Sequence, residues 1–273
     1  KKSVVLDGDL SNMIGKDFID KIHKFGEELA DEVVEIQNKV FDVKYKQDSS
    51  PLTEADLHAN ERIKSFLLDN YEISVFISEE DKEICFEQRS QWERCWIIDP
   101  IDGTKEFVKG NDDYCINIAL CYKSFPVYAH VIRPRTKDQY YAIKGGGAFK
   151  NRKPIKCSPL PEKSINVVAS KSHLNRDTKL YIEALSEKYE VNTVNIGSAL
   201  KLCLVAEGKA HIYPRYAPTM EWDTCAPDLI VNEAGGSVVN IKHKYRLLYN
   251  KQHLVNPGFV ATCSEKLIDD IEV

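Results

Sequence analysis

No stretch of this 273-residue chain stays apolar over the roughly 18 residues that a bilayer-spanning helix needs, and no leader pattern of charged, apolar and small residues opens it. Both absences lead to the expectation of a soluble, cytoplasmic protein with no membrane partner. An excess of positive charge is also missing. With 37 basic against 42 acidic residues, the formal charge is −5. This excludes nucleic-acid binding driven by overall charge, but not recognition of a small phosphorylated ligand by a few local lysines and arginines. None of the eight cysteines forms a C-x-x-C pair, which removes a zinc ribbon or a thioredoxin-like motif. Most stand inside apolar runs such as Cys115-Ile116-Asn117-Ile118-Ala119-Leu120-Cys121, so they read as buried free thiols in a reducing compartment. There is no internal repeat, low-complexity segment or interaction tail, and nothing in the chain sets an oligomeric state.

What is present is enough apolar material, 43% of residues, for one large domain or two smaller ones. Ile14, Phe18, Ile22, Phe25, Leu29, Val33, Ile36 and Val40 recur at steps of three and four, which predicts a long amphipathic helix over 14–40. A polar segment, 44–50, separates it from a second helix over 53–68, and a strand over 73–77 ends in Ser78-Glu79-Glu80-Asp81. Segments 114–122, 126–132 and 139–143 read as consecutive antiparallel strands, closed by Gly145-Gly146-Gly147. Pro154, Pro159 and Pro161 then mark a junction between an α+β half, 1–157, and an α/β half, 158–273. The second half alternates: strands at 165–169, 191–196, 210–213, 237–240 and 258–262, and helices at 175–188, 198–207 and 224–234 with a short final one.

The stretch with most chemical content is Asp99-Pro100-Ile101-Asp102-Gly103-Thr104, directly after the apolar run Trp96-Ile97-Ile98. Pro100 rigidifies the turn so that the two acids can converge, and Gly103 lets backbone N–H groups approach an anion. A hard cation and a phosphate need such a site, which points to metal-assisted phosphate ester hydrolysis. Asp-Pro and Asp-Gly are also ordinary turn dipeptides. Other acids accompany them. Asp56 follows Thr53 at capping-box spacing; Glu79 and Glu80 end a strand, and Asp81 and Glu83 give them the look of a solvated loop; Asp223 in Glu221-Trp222-Asp223-Thr224 sits where a helix N-cap belongs. Carboxylates at strand ends and helix starts, with no His or Cys at ligand spacing, favour Mg²⁺ or Mn²⁺ over Zn²⁺.

Taken together these residues resemble the lithium-sensitive, Mg²⁺-dependent inositol monophosphatase superfamily. The resemblance rests on four blocks in order: Ser50-Pro51-Leu52-Thr53-Glu54-Ala55-Asp56, Ser78-Glu79-Glu80, Asp99 to Thr104, and Trp222-Asp223 with Glu233-Ala234-Gly235-Gly236. Within it, Asp102-Gly103-Thr104-Lys105-Glu106-Phe107, Ser170-Lys171-Ser172-His173, Gly197-Ser198-Ala199-Leu200-Lys201 and Tyr213-Pro214-Arg215 are similar to the 3′(2′),5′-bisphosphate nucleotidase branch. The resemblance implies a layered αβαβα sandwich with the site between its halves. It implies Glu79, Asp99, Asp102, Asp223 and the Ile101 carbonyl as ligands of two or three Mg²⁺ ions, with Mn²⁺ able to substitute. Asp56 and Thr104, assisted by Glu79, would deprotonate the attacking water. Gly103, Thr104, Ser198 and Asp223 would contact the substrate, Lys201 and Arg215 its uncleaved 5′-phosphate, and His173 the nucleotide or the scissile phosphate. The implied reaction removes the 3′-phosphate of adenosine 3′,5′-bisphosphate, and 3′-phosphoadenylyl sulfate is a second candidate substrate. The alternatives are an inositol monophosphatase, an inositol 1,4-bisphosphate phosphatase, and a non-catalytic nucleotide-binding protein. The last would be marked by a lost ligand, and every ligand position is filled here.

Overall fold

The computed structural model of the chain describes residues 14–39, 43–46, 51–169 and 175–269. Helices α1 (Lys16–Asn38) and α2 (Glu54–Asn70) flank a small hairpin of β1 (Lys44–Tyr45) and β2 (Pro51–Leu52). They cover one face of a seven-stranded sheet: β3 (Phe76–Ser78), β4 (Arg94–Asp102), β5 (Cys115–Tyr122), β6 (Phe125–Arg133), β7 (Asp138–Ile143), β8 (Gly147–Lys150) and β9 (Lys153–Ile155), in that spatial order. Two short helices interrupt it, α3 (Phe86–Arg89) and α4 (Thr104–Val108). Only the β3–β4 pair is parallel; the other pairs in this sheet are antiparallel.

A second sheet holds β10 (Ser164–Ala169), β11 (Glu190–Asn195), β12 (Ile212–Arg215), β13 (Ser237–Asn240) and β14 (Phe259–Thr262), ordered β11-β10-β12-β14-β13. Helices α6 (Leu200–Ala206) and α7 (Glu221–Glu233) lie between the sheets, while α5 (Arg176–Ser186) and α8 (Lys266–Asp269) cover the outer face of the second. The result is an αβαβα sandwich.

Strand periodicity produces the layering, because alternate side chains point to opposite faces. On β4 and β5, Trp96, Ile98, Ile116, Ile118 and Leu120 pack on α1 and α2, whereas Cys95, Ile97, Cys115, Ala119 and Cys121 join the middle layer with Leu200, Val205, Leu229 and Ile230. On the second sheet Tyr213, Val238, Phe259 and Ala261 face inward, and Ile212, Val239 and Val260 face α5 and α8.

Three expectations are corrected. Gly145-Gly146-Gly147 does not end the sheet. Gly145 and Gly147, at φ +76° and +87°, instead form the reversal that continues it into β8 and β9. The residues after the apolar run Trp96-Ile97-Ile98 do not leave the strand at once for a turn, since β4 runs through Pro100 to Asp102. Helix α7 begins three residues earlier than its periodicity suggests, so Met220 is the cap and Asp223 is the third helical residue. Among the described residues no helix is long and apolar enough to cross a membrane.

Candidate functional site

Asp99 and Asp102 are three residues apart, so on a regular strand they would face opposite sides of the sheet. The register explains why they do not. Asp99 pairs with Asn117 and Asp102 with Cys115, so two β4 residues stand against one on β5. This bulge inserts one residue and turns Asp102 back to the side of Asp99, while Ile101 drops into the core beneath α1 and α2. Gly103 then takes φ +95°, a conformation open to glycine, and starts α4. Asp223 approaches from the first turn of α7, and ligand oxygens of Asp99, Asp102 and Asp223 lie within 4.8 Å of one another.

The cluster is electrostatically strained. Asp99 is buried and neither of its carboxylate oxygens has a hydrogen-bond partner among the described residues. Burial, then the charges of Glu79, Asp102 and Asp223, push its carboxyl well above the usual range. Burial followed by the Asp102 charge pushes Asp223 up to about 7. Asp102 is also raised by burial, against the pull of the Lys201 ammonium and the Ala199 N–H, which donates to its Oδ2 at 2.5 Å. Three crowded carboxylates, one of them with both oxygens orphaned, fit a multivalent hard cation, which supplies the missing partners and cancels the repulsion.

Asp56 shows that the capping and functional readings of its motif coexist. Its Oδ2 accepts from the Thr53 N–H at 2.7 Å and the Thr53 hydroxyl at 2.6 Å, fastening the start of α2. Its Oδ1 is left to accept from the Thr104 hydroxyl at 3.1 Å. The same hydroxyl lies 3.1 Å from the Ile101 carbonyl. Burial raises the Asp56 carboxyl, opposed by the hydrogen bonds from Thr53 and Thr104. Asp223 is built alike: its Oδ2 accepts from the Met220 N–H at 2.7 Å.

The substrate-side residues meet at a cavity of about 140 Å³ lined by Asp102, Ser198, Lys201, Arg215 and Asp223. Buried Lys201 donates to the Ser198 carbonyl at 3.1 Å, and Arg215 is held by the carbonyls of Ala217 and Pro218. Ser198 adopts φ +52°, a left-handed conformation costly for a side-chain-bearing residue, beside Gly197, where a Cβ would stand 2.4 Å from the Asp113 carbonyl. Glu79 is not one of the three clustered carboxylates; its charge repels that of Asp99, its side chain is paired with Lys46, and its N–H donates to the Ile98 carbonyl at 3.3 Å. His173 and Ser170-Lys171-Ser172 lie outside the described residues.

Several participants carry no sequence signal. Lys46 resembles one more solvated charge in a polar run, yet its ammonium bridges Glu79 at 2.9 Å and Glu80 at 2.7 Å. Although burial opposes it, these carboxylates hold Lys46 above its ordinary range. Burial lifts Glu80 itself to about 7. Asn117 reaches Asp102 at 3.5 Å and the Trp222 carbonyl at 3.4 Å, and Cys115 lies 3.4 Å from the Ser198 hydroxyl.

Layering and carboxylate cluster together define an α/β sandwich built around a hard-cation site. The chain belongs to the inositol monophosphatase family, whose profile matches residues 17–271. A curated relative, the 3′(2′),5′-bisphosphate nucleotidase CysQ of Salmonella typhimurium, is 36% identical over 254 residues, covering 89% of this chain and 99% of its own. The crystal structure of CysQ from Bacteroides thetaiotaomicron, a bacterial member of the same family, superposes with a TM-score of 0.78 at 34% identity, covering 89% of this chain and 97% of that one. An IMPase/NADP phosphatase solved with Mg²⁺ and phosphate shares the fold, with a TM-score of 0.77 at 22% identity and coverage of 94% and 96%.

Proposed function

We propose that this protein is a Mg²⁺-dependent phosphatase that removes the 3′-phosphate from adenosine 3′,5′-bisphosphate, giving AMP and phosphate. The observation that carries the reading is that Asp102 and Asp223, two of the three clustered carboxylates, line the cavity that also holds Lys201 and Arg215. A cation site and a separate basic site on one cavity suit a substrate with two phosphates, one cleaved and one gripped. The names of the CysQ relatives support the same substrate class.

Asp99, Asp102, Asp223 and Glu79, with the Ile101 carbonyl, hold two or three Mg²⁺ ions, for which Mn²⁺ can substitute. Bound Mg²⁺ supplies charge neutralisation, polarises the phosphoryl oxygens and acidifies water. The Thr104 hydroxyl accepts a proton from the attacking water while passing its own to Asp56 Oδ1. Asp56 takes that proton without leaving the helix start, because its other oxygen stays bound to Thr53. Glu79 assists from the end of β3. The N–H groups of Gly103 and Thr104 orient the scissile phosphate. Lys201, Ser198 and Arg215 hold the 5′-phosphate, with Arg215 offering a planar fork to two of its oxygens. His173 contacts the nucleotide or the scissile phosphate. The metal-bearing residues belong mostly to the half 1–157, and 158–273 contributes the substrate grip and Asp223. The enzyme works in the cytoplasm, and 3′-phosphoadenylyl sulfate is a second substrate.

The test is phosphate release from adenosine 3′,5′-bisphosphate and inositol 1-phosphate side by side, with Mg²⁺, with EDTA and with added Li⁺. Mg²⁺-dependent, Li⁺-sensitive release from the nucleotide with AMP as product is expected. A preference for inositol 1-phosphate would keep the cation site and overturn the roles of Lys201, Arg215 and His173. Inactivity on both would overturn the catalytic assignment.

A further inference from the structure

A cavity of about 430 Å³, separate from the catalytic centre, is lined by Phe86, Trp92, Cys95, Cys121, Lys123 and Asn250 among others. Cys95 on β4 and Cys121 on β5 are direct cross-strand partners in this wall. Both point to the middle-layer face, and both are free thiols. The neighbouring Cys95 thiol, and then burial, push the Cys121 thiol up. Directly opposed strand residues have Cα atoms about 5.5 Å apart or closer, so two rigid strands present the sulfurs as a ready chelate. Neither thiol has a role in the chemistry above.

The donor set limits what such a pair can take. Soft sulfur ligands select thiophilic species. A tetrahedral zinc site needs four donors, and among the described residues the only group of three or more metal-ligating side chains is the catalytic one. A two-sulfur site therefore suits a centre that brings its own third substituent, and the cavity leaves room for one, with the rings of Phe86 and Trp92 set in a wall that is otherwise mostly polar. We propose that Cys95 and Cys121 form a dithiol site for monosubstituted trivalent arsenicals, the two sulfurs holding arsenic and the cavity holding its organic group. In the binding step two As–S bonds form and two S–H bonds break. The two protons leave with the arsenical's oxygen as one water, and arsenic stays trivalent, so no oxidant or reductant is consumed.

The probe is phenylarsine oxide, added to the folded full-length chain with a phosphine in place of a dithiol reductant. Intact mass should show one phenylarsenic group per chain with two hydrogens lost, and peptide mapping should join the peptides containing Cys95 and Cys121. Cys95→Ala and Cys121→Ala should each lose the adduct, and Cys157→Ala should keep it. No adduct on the folded chain, an adduct that survives either of the first two substitutions, or a link between other cysteines would overturn the site. If either substitution prevents folding, the mapped link in the unaltered chain decides alone.

Discussion

Replacing Asp56 by Asn separates the two jobs of one carboxylate. The amide keeps a single carbonyl oxygen, and the two donors of Thr53, at 2.7 and 2.6 Å, will claim it. The NH₂ group must then face Thr104, whose hydroxyl loses its acceptor at 3.1 Å and retains only the Ile101 carbonyl. The helix cap survives in weakened form, because hydrogen bonds to a charged acceptor contribute about 1.5–3 kcal/mol against about 0.5–1.5 for a neutral one. Removing a buried negative charge offsets part of that loss. Stability should therefore stay within about 1 kcal/mol of the parent chain. Turnover should not, since losing a positioned general base costs about 10²–10⁴-fold, or roughly 3–5 kcal/mol on the barrier. The assay is kcat for adenosine 3′,5′-bisphosphate at saturating Mg²⁺, beside urea unfolding of each variant. Asp56→Asn, Thr104→Val and the double variant complete the cycle. If the two residues act as one relay, the double variant loses about as much as either single one. A folded Asp56→Asn with kcat reduced less than about 10-fold, or losses that multiply in the double variant, would refute the relay.

Arg215→Ala should raise KM for the bisphosphate at least about tenfold, as loss of a charge-assisted phosphate contact implies, and leave inositol 1-phosphate hydrolysis nearly unchanged; equal losses on both, by phosphate release, would contradict the 5′-phosphate role. Gly197→Ala would bring a Cβ to 2.4 Å from the Asp113 carbonyl, so it should cost about 1–3 kcal/mol in urea unfolding and lower kcat through the Ala199–Asp102 contact. His130 is fully buried between Tyr128 and Gln139, and burial depresses it to about 3. The unfolded chain therefore binds the extra proton first as pH falls below about 6.5, and stability present above that value is lost toward pH 3 at about 1.4 kcal/mol per unit. His130→Asn should flatten this slope in urea titrations at pH 6.5 and 4.5, and an unchanged slope would mean that His130 does not stay neutral in the folded chain. Chelation with EDTA should abolish turnover and lower the melting temperature, and Mg²⁺ at 100 times its Kd should restore about 2.7 kcal/mol; a melting curve indifferent to Mg²⁺ would count against the cluster as a cation site.

The strands were the most legible part of the chain. Cys95–Ile98 and Cys115–Cys121 read as near-continuous apolar runs because both faces of the first sheet are covered by apolar layers. The acidic blocks were legible too, as carboxylates in places where a solvated surface alone would not demand them. What stayed hidden depends on register and on distant partners. The bulge that aligns Asp99 with Asp102 appears only when β4 is paired with β5. Lys46 acquires meaning only when the hairpin folds it over Glu79 and Glu80. The start of α7 was displaced because Glu221, although charged, is fully buried there, accepting hydrogen bonds from the backbone of Asn250 and Lys251 and from the Lys251 ammonium. An apolar periodicity cannot register such a residue.

Asp56 and Asp223 both occupy the third position of a helix, each with one oxygen tied to the backbone N–H that opens it. A change that discards either carboxylate altogether therefore undoes a helix start as well as a site, at about 0.5–2 kcal/mol per lost cap in a domain whose net stability is about 5–15 kcal/mol. For both acids the lost helix start works against the relief of a buried charge, which in Asp223 is also a crowded one. An inactive descendant therefore gains less stability by discarding either carboxylate than the relief of charge alone would give.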